Sequence, residues 1–229
     1  MTQVAAPRFD AVLFDCDGVL VDSEPITIGV LRDMLQQEGW VLTTRECMRI
    51  FVGKAVKDET LRFKAETGRP LTEEWLAGFR ERRNQALLAR LEPVAGILQA
   101  VPAVHAAHGG RIACASGADM PKLLLQLGKT GLLPWFEGRI FSGHDLPRSK
   151  PHPDVYLAAA AALGVDPRRC AVVEDTVTGV TAGVAAGATV FGYSPSDLGH
   201  DAAPALRAAG AVTTFTDMAS LPHLLATWP

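Results

Sequence analysis

Two acidic pairs in the sequence each follow directly on a short apolar run: Asp15 and Asp17 after residues 11–14, Glu174 and Asp175 after residues 171–173. In Asp15-Cys16-Asp17-Gly18-Val19 the glycine permits a tight turn, and alternation along an extended chain turns both aspartates to one side. Two anions held so close repel unless a cation or a proton shares their site. A second pair at a neighbouring strand end would add to that repulsion, and a hard, oxygen-seeking cation resolves it. Mg²⁺ suits such a set because it binds through a few carboxylates and keeps several waters. Taken singly, each pair has a structural alternative: a solvated turn for the first, and capping of the next helix by Asp175 or Thr176 for the second.

Two further segments add polar groups of the opposite character. Ser116-Gly117 follows the apolar run 112–115 and leads toward a helix, so a hydroxyl and free backbone N–H groups could meet an anion there; a plain N-cap role for Ser116 explains it equally well. In Ser149-Lys150-Pro151-His152-Pro153-Asp154 the prolines keep Lys150 out of a helix and Pro153 suits a first helical position. A lysine on so stiff a loop can deliver a fixed positive charge, although an isolated loop lysine is usually solvated.

The elements that must position these groups are legible as a pattern. Apolar runs at 11–14, 112–115, 171–173 and 189–191 read as buried strands, and helical periodicity separates them at 94–107, 121–127, 153–163 and 177–186. Strands alternating with helices predict a parallel sheet covered on both faces, with ligands at the carboxyl ends of the strands. Residues 25–90 break the alternation with helical periodicity and no strand, Ile26, Val30, Leu31, Met34 and Leu35 sharing one face. A helical insertion leaving and rejoining the core near 21–24 and 91–96 is the expectation, with the core at 1–21 and 92–229 and the insertion at 22–91.

Composition fits this picture and narrows the functions. The chain has 229 residues, 48% hydrophobic and 21% charged, with a net charge of −3, so no field favours nucleic acid or anionic lipid. No segment approaches the about 20 apolar residues of a membrane span, and the first ten residues hold no apolar run of signal-peptide length. The four cysteines, Cys16, Cys47, Cys114 and Cys170, form no C-x-x-C pair and read as buried free thiols, which agrees with a cytoplasmic location.

The order Asp-x-Asp, Ser, Lys, Glu-Asp, within Phe-Asp-Cys-Asp-Gly-Val-Leu-Val-Asp-Ser-Glu-Pro, Lys-Pro-His-Pro-Asp-Val-Tyr and Val-Val-Glu-Asp-Thr, resembles the haloacid dehalogenase superfamily in its capped phosphatase branch. The resemblance covers nearly the whole chain. It implies a Rossmann-like α/β core with an inserted α-helical cap, and hydrolysis of a small phosphorylated metabolite such as a sugar phosphate through an aspartyl-phosphate. Carried over by position, it makes Asp15 the nucleophile and Asp17 the general acid and base. Ser116, Gly117 and Lys150 would hold the phosphoryl group, and Asp15, the Asp17 carbonyl, Glu174 and Asp175 would hold Mg²⁺. Many family phosphatases have Thr where this chain has Val19, a departure that leaves the chemistry intact.

In the cap, the resemblance places a specificity loop near Phe51-Val52-Gly53-Lys54-Ala55. Lys54 could meet a carboxylate, a second phosphate or sugar hydroxyls, or stand solvated at a helix start. Glu24 at the first hinge could face the cleft or serve as a first-turn acid. Arg80, Arg82 and Arg83, with Glu81, read as a solvated helix face. Phosphatases acting on 6-phosphogluconate look similar through the core. The nearest rival is a β-phosphoglucomutase-like mutase with the same acids; a phosphonate hydrolase lacks an acid equivalent to Asp17, and a silent binding module would not need the full set. No nucleic-acid or membrane partner is expected, and the chain would be a monomer or small homo-oligomer.

Overall fold

The structure, a computed structural model, describes residues 8–52, 56–195 and 201–229. Strand β1 (Ala11–Phe14) is followed by four helices, α1 (Glu24–Gln37), α2 (Thr44–Phe51), α3 (Thr60–Thr67) and α4 (Glu73–Arg90). Then come α5 (Ile97–Ala107), β2 (Ile112–Ser116), α6 (Met120–Lys129), α7 (Leu133–Phe136), β3 (Ile140–Ser142), α8 (Asp154–Ala162) and β4 (Cys170–Glu174). The chain ends with α9 (Val177–Ala185), β5 (Thr189–Tyr193), α10 (Ala203–Ala208), β6 (Thr213–Phe215) and α11 (Leu221–Thr227). Six strands form one sheet in the order β3-β2-β1-β4-β5-β6, and every pairing is parallel. This is the Rossmann-like α/β architecture expected from the alternation of strands and helices.

Strand periodicity of two divides the core into two layers. Val12 and Phe14 of β1 join a cluster with Val101 and Val104 of α5 and Leu123 and Leu127 of α6. Ala11 and Leu13 join a cluster on the opposite face with Val155 and Tyr156 of α8 and Val180 of α9. Both faces of β1 are fully buried, which is why it reads as an unbroken apolar run. Each Leu, Val or Phe so buried contributes roughly 1.5–3 kcal/mol of transfer free energy.

Between β1 and α5 the described residues hold no strand. Their side chains build a third cluster, with Ile28, Leu31 and Leu35 of α1, Phe51 of α2, Phe63 of α3 and Phe79 of α4. The two connections between this insertion and the sheet run side by side. Val21 bridges Pro93, Asp22 N donates to Glu92 O at 3.0 Å, and Val94 N donates to Leu20 O at 3.1 Å.

Two strands escape the sequence pattern. β3 and β6 are three residues long and only partly buried for most of their length, so neither presents a run or an alternation long enough to recognise. Helix α5 starts at Ile97 rather than 94, because Pro93 and Gly96, the latter at φ 85°, hold the preceding turn out of the helix. Among the described residues no helix is long and apolar enough to cross a membrane.

Candidate active site

The register of the sheet brings the acidic pairs together. Phe14 pairs with Val173, so the next residues, Asp15 and Glu174, emerge side by side at the carboxyl edge, and Asp15 N donates to Val173 O at 3.0 Å. Lys150, on the loop before α8, reaches the same point. Its Nζ lies 2.7 Å from Asp15 Oδ1 and 2.6 Å from Glu174 Oε1, and 4.8 Å from the centre of the Tyr156 ring. Burial opposes the charge on Lys150, but Asp15 and Glu174 outweigh it and hold the ammonium well above its ordinary pKa. Lys150 is thus a fixed cation, not a solvated loop lysine.

Glu174 is completely buried and densely satisfied. Its Oε1 accepts from Lys150 and from the Tyr156 hydroxyl at 2.8 Å; its Oε2 accepts from Asp175 N, Thr176 N and Thr176 Oγ1 at 3.0–3.2 Å. A Cβ at Gly179 would collide with this carboxylate, so the first turn of α9 needs glycine there. Thr176, not Asp175, caps α9 by accepting from Gly179 N, which leaves the Asp175 carboxylate for the cluster. Likewise Asp119, not Ser116, caps α6 by accepting from Lys122 N at 3.0 Å.

Asp15, Glu174 and Asp175 each present a carboxylate oxygen within 4.8 Å of the others. Burial raises the Asp15 pKa to about 7, with Lys150 lowering it and Glu174 and Asp17 raising it. Burial, then the charges of Glu174, Asp15 and Glu24, push Asp175 well above the usual carboxylate range. Gly18, at φ 77°, makes room for the Asp175 carboxylate, into which a Cβ would project. The residues therefore fit a hard divalent cation: the donors are all oxygen, they are buried, and their mutual repulsion calls for positive charge.

Asp17 has different surroundings. Lys122 Nζ lies 2.8 Å from both of its oxygens, Gln126 Nε2 donates to Oδ1 at 2.7 Å, and Ser23 Oγ also donates to Oδ1. Burial opposes ionisation, but Lys122 together with these hydrogen bonds overcomes it and holds the pKa at about 2. Glu24, next to Ser23 at the start of α1, lines the same cleft; burial and then the Asp17 charge raise it to about 8.

The cleft is also lined by Ser116, buried, and Gly117, beside which a Cβ would meet nothing within 4 Å. Ser116 Oγ accepts from Ala118 N at 3.2 Å, which leaves its hydroxyl proton to be donated. The whole cleft encloses about 620 Å³ between the sheet edge and the helical insertion. Lys54 lies outside the described residues. One expectation fails: Arg83 is buried, because its guanidinium bonds Asp119 Oδ2 at 3.2 Å and Asn84 Oδ1 at 2.9 Å and packs on the Phe79 ring. Arg80 lines the cleft.

Sequence reasoning missed Lys122, Gln126, Ser23 and Tyr156. Lys122 and Gln126 are four apart on α6 and so share a face, a spacing that could have marked them, but both look like ordinary polar positions of an amphipathic helix. Ser23 occupies the N-cap position of α1 but makes no side-chain cap bond, its hydroxyl going to Asp17 instead.

Comparison with known proteins agrees with this geometry. The family described as haloacid dehalogenase-like hydrolase matches residues 9–187. The chain is 32% identical over 218 residues to 6-phosphogluconate phosphatase of Escherichia coli (strain K12), covering 95% of each. It is 30% identical over 184 residues to hexitol phosphatase B of the same organism, covering 77% of this chain and 79% of that one. A solved HAD family hydrolase of Deinococcus radiodurans R1, with bound phosphate and sodium, superposes with a TM-score of 0.78 at 37% identity, covering 96% of both chains. The convergence of Asp15, Lys150, Glu174 and Asp175 at one sheet edge and the span of these matches lead to one assignment: the chain belongs to the haloacid dehalogenase-like hydrolases.

Proposed function

We propose that the protein is a Mg²⁺-dependent phosphatase that removes phosphate from a small polyhydroxylated metabolite, a sugar phosphate or sugar-acid phosphate, through an aspartyl-phosphate on Asp15. The observation that carries this reading is the buried contact of Lys150 with Asp15, inside a carboxylate cluster that fits a divalent ion. The relatives named for 6-phosphogluconate and hexitol phosphates support the substrate class. Asp15, Asp175 and the Asp17 carbonyl would hold Mg²⁺, with Glu174 beside them anchoring Lys150. When bound, the ion would neutralise charge on the nucleophile and on the phosphoryl oxygens.

Asp15 attacks phosphorus in line with the departing ester oxygen, splitting one difficult step into two. Lys150, the Ser116 hydroxyl and the backbone N–H of Gly117 hold the equatorial oxygens, where electrostatic stabilisation accounts for most of the acceleration of phosphoryl transfer. Asp17, ionised in the free protein, takes up a proton from solvent as the anionic substrate binds beside it, gives it to the leaving alkoxide and, ionised again, takes a proton from the water that opens the acyl phosphate. Glu24 and other residues of the insertion that line the cleft meet the rest of the substrate, together with Lys54 of the specificity loop expected from the resemblance, and residues 22–91 act as a cap that excludes water. Four buried free thiols accord with a cytoplasmic setting.

The test is phosphate release from a panel of phosphorylated sugars, polyols and sugar acids, with and without Mg²⁺. Stoichiometric phosphate from at least one member, abolished by a chelator and restored by Mg²⁺, is expected. Isomerised hexose phosphate without phosphate release would sink the hydrolase assignment, and undiminished turnover in excess chelator would sink the metal.

A further inference from the structure

Asp17 is pinned by three donors, none of which belongs to the phosphate-holding group. Lys122, Gln126 and Ser23 are all buried, and all aim at the one carboxylate. Gln126 has its amide orientation fixed as well: Cys16 Sγ lies 3.6 Å from its Oε1, which turns Nε2 toward Asp17. Lys122 and Gln126 come from α6 and Ser23 precedes α1, so the carboxylate is held by two separate segments of the chain.

The two oxygens of Asp17 are not equivalent. Oδ1 accepts from Lys122, Gln126 and Ser23, whereas Oδ2, among the described residues, accepts from Lys122 alone. A carboxyl group that gives and takes a proton must do so through an oxygen with room for hydrogen. We propose that Lys122, which holds both oxygens, is a positioning residue for Asp17, and that Gln126 and Ser23, which bond Oδ1 only, leave Oδ2 as the oxygen of proton transfer. This rests on the assignment of Asp17 as general acid and base. In the first step Oδ2, protonated from solvent as the anionic substrate binds beside it, loses that proton to the ester oxygen as the ester's bond to phosphorus breaks and the bond from Asp15 forms. In the second, water gives a proton to Oδ2 as its oxygen bonds to phosphorus and the bond from phosphorus to Asp15 breaks.

The experiment compares kcat/KM for an alkyl phosphate with that for p-nitrophenyl phosphate, whose leaving group departs without a proton. For K122M the alkyl ester should lose about 100-fold, the lower end of what general acid catalysis supplies, and the aryl ester no more than about threefold. K122R should recover most of the loss, and inhibition by inorganic phosphate should be unchanged, because Lys122 grips Asp17 rather than the phosphoryl group. Q126L should show the same selectivity with a smaller loss, and it carries the test if K122M does not fold. D17N is the reference. If D17N lowers both esters equally, the acid assignment itself fails, whatever Lys122 does. If D17N discriminates and both K122M and Q126L lower the two esters equally, or lower neither, the positioning role is overturned.

Discussion

Asp15 and Asp17 are the same residue type one position apart, yet their environments push them in opposite directions, to about 7 and about 2. Asp15 is desolvated beside Glu174 with one lysine to answer both; Asp17 has a lysine and two neutral donors to itself. Replacing Asp15 with Asn should abolish turnover, since an amide cannot form the acyl phosphate, and a freshly purified variant with full activity would refute the nucleophile. Asp17→Asn should cost about 10²–10⁴ in kcat for an alkyl ester while the thermal transition stays cooperative. The raised Asp15 also sets a pH dependence. With a folded pKa near 7 and an unfolded value near 3.8, the metal-free native state holds the extra proton between them. Its stability should therefore fall as pH rises from about 4 to about 7. Mg²⁺ bound as proposed displaces that proton, so the rise in Tm on adding Mg²⁺ should be larger at pH 8 than at pH 6, and an equal rise at both would contradict the proposed site.

At the scale of elements, the site depends on what the strands and helices leave open at their ends. Gly18 turns the chain at φ 77° under the Asp175 carboxylate. Gly18→Ala should cost about 1–2 kcal/mol for the left-handed backbone alone. By displacing Asp175 it should also raise the Mg²⁺ concentration for half-activity by about tenfold or more; an unchanged Mg²⁺ requirement would argue against Asp175 as a ligand. The residues at strand ends were legible in the sequence because a completely buried parallel strand is an unbroken apolar run, and whatever polar residue follows it stands out. Asp15, Ser116 and Glu174 are visible for that reason, and Lys150 because prolines bracket it. Lys122, Gln126 and Tyr156 were not legible. Each lies inside a helix, where the sequence shows only polar or aromatic residues at helical spacing, and only the packing of α6 and α8 against the strand ends shows where their polar atoms go. β3 and β6 escaped because a three-residue strand at or near a sheet edge carries too little pattern.

For the molecule as a whole, the cleft depends on how the helical insertion is seated on the core. A part-buried link joins the two: Arg83 of α4 bonds Asp119, the residue that caps α6. Arg83→Ala leaves that carboxylate with one charged partner fewer and should lower stability by about 1.5–3 kcal/mol in a urea titration. An unchanged midpoint would show that the link contributes nothing to seating the insertion. The sheet order has a consequence of another kind. β1, which leads into Asp15, is the first strand made, but its two neighbours are β2 and β4, encoded far downstream. A chain emerging from the ribosome must hold an apolar, unpaired β1 in waiting while the whole insertion is synthesised, and pairings of such long sequence separation form slowly. The helices of the insertion, with a hydrophobic cluster of their own, have the local contacts to condense during that wait, so the insertion can take shape before β1 finds its place in the sheet.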